Sequence, residues 1–140
     1  MKWKKIVWIK LRIVLGLIFL WAFVDKLFGL GFATKSADSW LNGGSPTSGF
    51  LLHATKGPFA SIFKSLADVA VVDWLFMLGL LFVGVTLIIN KYVTWGAIAG
   101  AAMLILMWLA VLPPANNPLL DDHIVYALVM ALFAFKSKDS

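Results

Sequence analysis

The stretch "NNPLLDDH", residues 116–123, sets two carboxylates beside an imidazole, with Tyr126 one helical turn further on. A histidine next to carboxylates exchanges protons near neutral pH, which suits work on a reducible carbonyl such as a quinone head group. On that reading His123 and Asp122 are the proton donors. Two further polar interruptions of apolar sequence stand elsewhere: Asp25 and Lys26 in "FLWAFVDKLFG", and Asp73 beside Trp74. Ionisable residues inside apolar segments are candidates for function by default. The competing reading is structural. Acids at a helix start often only cap it, and aromatic residues near helix ends often form an interfacial belt.

Four apolar segments would position these groups, at about 6–30, 69–89, 92–112 and 118–135. Of the 140 residues 61% are hydrophobic and 14% charged, and mean hydropathy is +0.92. Soluble domains carry nearly twice that share of charge. The expected fold is an all-α membrane protein, a single domain over 1–140, with four transmembrane helices in a bundle. A basic start, "MKWKK", resembles the front of a signal peptide, but no small-x-small cleavage site follows, so the first segment reads as a retained helix. "NKYVTW" joins the second and third segments as a tight hairpin. Gly96 and Gly100 lie on one face of the third and let a neighbouring helix approach closely, by packing within the bundle or in a dimer.

Charge placement sets the expected topology. Lys2, Lys4, Lys5, Lys10, Arg12, Lys91, Lys136 and Lys138 fall on one side, and six of the seven acids on the other. Both termini are then cytoplasmic in a multi-pass protein of the cell membrane. The net charge of +5 is a topology signal and a contact for anionic lipid, not a nucleic-acid surface. With no cysteine, disulfides, thiolate metal sites and iron–sulfur clusters are excluded for this chain. Two histidines are too few for a protein-built metal centre, and His53 and His123 make a poor haem pair. Neither a metal nor a covalently bound cofactor is expected.

Apolar length then places the polar groups. Between Arg12 and Asp25 the first segment has twelve uninterrupted apolar residues, and 124–135 gives the fourth the same number. Each covers about 18 Å, against roughly 30 Å for a hydrocarbon core. Lys10 and Arg12 can snorkel, whereas aspartates cannot reach far. Asp25, Asp121 and Asp122 should therefore face the interior and be paired or hydrogen-bonded there, with Lys26 either the partner of Asp25 or snorkelling outward. Asn117 and Pro118 read as a helix N-cap and first position. The expected polar layer comprises Asp25, Lys26, Asp73, Asn117, Asp121, Asp122 and His123, with Trp21, Trp74 and Trp108 at the same level and Tyr126 one turn away. Residues 31–68 should form a partly helical interfacial or re-entrant segment, with Ser45 and Pro46 opening one turn and Pro58 another. It is either a structural cap or a lid over a ligand site.

"RIVLGLIFLWAFVDKLFGLGFAT" resembles the first-helix signature of DoxX/DoxD-type membrane proteins, and "NGGSPTSGF", "GPFASIF", "DWLFMLGLL" and "NPLLDDHIVYAL" resemble the blocks that follow. The positions matching the recurrent pattern are Arg12, Gly16, Lys26, Gly29, Asn117, Pro118, His123 and Tyr126. The resemblance implies a four-helix membrane bundle and kinship with subunits of thiosulfate:quinone oxidoreductase, which pass electrons from thiosulfate to membrane quinone. It carries over no catalytic residue. One expectation is a quinone-linked redox subunit, with quinone as co-substrate, Lys26 holding an anionic substrate, and an oxidoreductase partner carrying the redox centre. The alternative is a non-enzymatic anchor or accessory subunit for a redox or stress-response partner, alone or as a homo-oligomer. A solute carrier is disfavoured by the lack of broken helices.

Overall fold

The computed structural model describes residues 1–114 and 117–139, the last three by backbone alone. Lys138, one of the topology signals, has its side chain outside the described residues. Among the described residues there are helices and turns but no strand. Helix α1 spans Lys2–Phe28, a short α2 Ala60–Lys64, α3 Ala70–Ile89, α4 Val93–Ala110 and α5 Asp122–Asp139. Three of them, α1, α3 and α4, are long and apolar enough to cross a membrane. By helix length and composition this is a multi-pass membrane protein. Helix α5 is 18 residues long, but Asp122 and His123 stand at its start and Lys136 near its end, so its apolar run stays short.

Local chemistry explains the boundaries. Lysine is a good helix former, so the basic start simply extends α1 to Lys2. Gly29 ends α1 at φ 67° and donates its N–H to the Asp25 carbonyl at 2.7 Å. A methyl group there would lie 2.6 Å from the Lys35 carbonyl oxygen, so both conformation and space require glycine. Asn90 and Tyr92 take left-handed conformations, φ 59° and 55°, and close the α3–α4 hairpin. Helix α5 starts later than expected. Asn117 Oδ1 accepts the N–H groups of Leu119 and Leu120, at 2.9 and 3.0 Å, and so closes a separate turn. Asp121 then caps α5, its Oδ1 accepting the His123 N–H at 3.0 Å.

The helices pack in chain order, α1 on α3, α3 on α4, and α4 on α5. Their facing sides form one core that includes Leu15, Phe19, Met77, Val83, Leu87, Ala97, Leu104, Met130 and Phe133. Glycines set the helix spacing. A methyl on Gly84 would come within 3.0 Å of the Leu20 backbone nitrogen and 3.1 Å of the Gly16 oxygen, so α1 and α3 touch backbone to backbone. Gly96 sits against Thr86, and Gly100 against Met130 and Val83, which makes the small face of α4 an internal contact. Leu17, Ile18, Leu75, Leu78, Phe82, Trp95, Leu128 and Leu132 remain exposed on the outward faces. An apolar surface of that kind is covered by lipid.

Gly84→Leu should drive α1 from α3. A loss of about 1–3 kcal/mol is expected from overpacking alone, read as a lower unfolding midpoint in detergent. An unchanged midpoint would remove the close α1–α3 crossing.

Candidate functional site

The ends of α1 and α4 and the starts of α3 and α5 meet at the end of the helices remote from the N-terminus, and the connection 29–69 folds over it. Buried carboxylates fasten this connection. Asp25 is only 2% exposed. Its two oxygens accept the backbone N–H groups of Phe32, Ala33 and Thr34 at 3.3, 2.9 and 3.0 Å. Three such bonds compensate the burial of this carboxyl group. At the start of α3, Asp73 Oδ1 accepts from Ser45 Oγ at 2.7 Å and Thr47 Oγ1 at 2.6 Å. Ser45 in turn accepts the Ser48 N–H at 3.1 Å, so "SPTS" forms a capped turn with Pro46 at its first position. Ser48 and Asp68 bond reciprocally, at 2.7 and 3.0 Å. The connection reaches α4 where Lys56 N–H donates to the Ala110 carbonyl at 3.0 Å. Next to it Gly57, at φ 76°, packs so closely on Leu112 that a methyl would meet its carbonyl oxygen at 1.8 Å.

Beside this contact lies an open cleft of about 480 Å³, lined by Ala54, Lys56, Val111, Pro114, Leu120, Asp121, Asp122 and His123. His123 Nδ1 is 2.8 Å from Asp121 Oδ2, within hydrogen-bond distance. Their side chains are 25% and 19% exposed, so the pair is partly sheltered yet reachable from the cleft. With Nδ1 engaged by a carboxylate, proton exchange falls to Nε2. The arrangement can donate or accept a proton, and Lys56 adds a cation at the rim.

Of the residues expected in one polar layer, the structure brings Asp121, Asp122 and His123 together in this cleft. Asp25 and Asp73 hold the connection instead, each bonded within it. Lys26 forms no ion pair with Asp25 among the described residues; its ammonium lies 6.0 Å from the Phe76 ring centre. Trp21 packs edge-to-face on Phe32 at 5.0 Å and Trp74 on Trp40 at 4.7 Å. Trp108 Nε1 donates to the Leu119 carbonyl, steadying the turn before α5. Asn117 closes that turn, and Tyr126 is exposed on α5. His53 is exposed in the connection. No cluster of three or more His, Cys, Asp or Glu among the described residues could hold a metal ion. Sequence reasoning missed Lys56, whose only signal was the following "GP" break, and the anchoring hydroxyls, whose signal was the density of Ser and Thr in "SPTS".

No protein-family model, curated protein or solved structure matches the chain.

Asp25→Ala should free the 32–34 amides. Their hydrogen exchange should quicken by an amount equivalent to about 2 kcal/mol of lost protection, while amides in the middle of α3 and α4 keep theirs. Equal protection at 32–34 in both proteins would show that the carboxylate does not hold them.

Proposed function

We propose that the chain is a DoxX-like four-helix membrane subunit of a quinone-linked redox system, with the Asp121–His123 cleft receiving the quinone head group. The observation that carries this reading is the carboxylate-held imidazole in an open cleft at one end of the helices. Val111, Pro114 and Leu120 give the cleft an apolar wall suited to a ring, and His123 gives it a proton. Reduction of a quinone to a quinol consumes two electrons and two protons. His123 delivers protons to the carbonyl oxygens and is recharged from water through the open mouth. The electrons come from an oxidoreductase partner, since this chain offers no cysteine or flavin motif to carry them. A neutral quinone suits the cleft better than thiosulfate does, because Asp121 and Asp122 repel a dianion. An anionic electron donor is therefore placed on the partner.

The accessory-subunit reading rests on a different observation. Asp25 and Asp73 are committed to fastening the connection, which makes a rigid docking face at this end without any chemistry.

Titration of a short-chain quinone into the detergent-purified protein separates the two. Quenching of tryptophan emission should saturate, with Trp108 close to the cleft, and His123→Ala and Asp121→Asn should weaken it about tenfold, roughly the cost of one lost charge-assisted hydrogen bond. Circular dichroism checks that the helices persist. Absent or unsaturable quenching, or equal affinity in both variants, would leave the accessory reading.

A further inference from the structure

The opposite end of the helices holds a second cleft, of about 440 Å³, and its chemistry is different. Lys5, Arg12 and Lys136 converge on it, together with Trp8, Asn90 and Phe133. Among the described residues no acidic side chain lines it, and the sequence has none over residues 1–24, 74–120 or 123–138. Three cations from α1 and α5 thus share one concavity with no counter-charge among the described side chains, Asp139 lying outside them. Like charges so placed repel unless an anion joins them.

Two of the three are held in place. The Arg12 guanidinium donates to the Leu87 carbonyl and lies 3.5 Å from that of Ile88, at the end of α3. That engages only part of a five-donor fork and leaves the rest for a planar or tetrahedral oxyanion. The Lys136 ammonium sits 4.2 Å from the centre of the Trp8 ring, and Trp8 itself stands edge-on to Phe133 at 5.1 Å. Cation–π contact and ring packing therefore fix where this charge is presented. Lys5 is exposed, and its long flexible stem lets the ammonium reach a bound group. Ile9 and Val93 complete the wall with apolar surface.

We propose that this cleft binds a phosphate group, with Arg12, Lys5 and Lys136 as its ligands, and that the group is either the head of an anionic phospholipid or free phosphate. The position at a helix end flanked by apolar faces suits a lipid whose acyl chains run down the bundle.

The test uses the full chain in detergent, with thermal unfolding followed by tryptophan emission. Phosphatidylglycerol, phosphatidylcholine and inorganic phosphate are each titrated in. Phosphatidylglycerol should raise the midpoint and phosphatidylcholine should not. Lys5→Gln/Lys136→Gln, both at exposed positions, should weaken the phosphatidylglycerol effect about 25-fold, roughly fivefold for each lysine. Lys2→Gln/Lys10→Gln, with the same charge change but off the cleft, should leave it nearly unchanged. If phosphate alone reproduces the shift and the first variant abolishes it, the site stands and its ligand is the free anion. The proposal is overturned if phosphatidylglycerol and phosphatidylcholine act alike, or if both variants lose the effect equally, since general attraction to an anionic surface would then explain it.

Discussion

A carboxylate taken out of water must be bonded on every side it presents, and Asp25 meets that requirement with three backbone N–H groups of the chain that follows it. This fixes the direction in which the chain leaves α1. Gly29 supplies the left-handed turn, and 31–34 folds back over the helix end. Asp73 repeats the solution with two hydroxyls. Together they hold a long connection built of short helical turns, and so hold Ala54, Lys56 and Gly57 against the end of α4. The Asp121–His123 cleft has its opposite wall only because of this. The groups that look most like a site in the sequence are partly the scaffold of one.

Much of the helical framework was legible. The bounds expected for the second and third segments lie within two residues of α3 and α4, because long apolar runs ended by Asn–Lys and Pro–Pro leave little choice. Gly96 and Gly100 announced a close contact, and the structure turns them inward. Gly16 and Gly84 make a backbone-to-backbone crossing, yet 68 positions separate them and neither sits in a small-xxx-small pattern. Only a tertiary contact reveals them.

The polar residues were harder to assign for a related reason. Residue type places Asp25, Asp73 and Asp121 near helix ends, but the partner decides the role. Backbone amides make Asp25 an anchor, hydroxyls make Asp73 another, and an imidazole leaves Asp121 chemically available. The adjacent charges of Asp25 and Lys26 suggested a pair. Neighbours on a helix point about 100° apart, and each finds different company. At α5 two good capping residues competed, Asn117 and Asp121. Asn117 spends its oxygen on a local turn, so the helix begins at the second.

Chain order sets the span of each of these anchors. The amides that bind Asp25 follow it by seven to nine residues, so that latch closes a short loop at little entropic cost. Asp73 comes 26 to 28 residues after the hydroxyls it binds. The two latches therefore constrain different lengths of chain: one is local to the end of α1, and the other ties the connection to the start of α3.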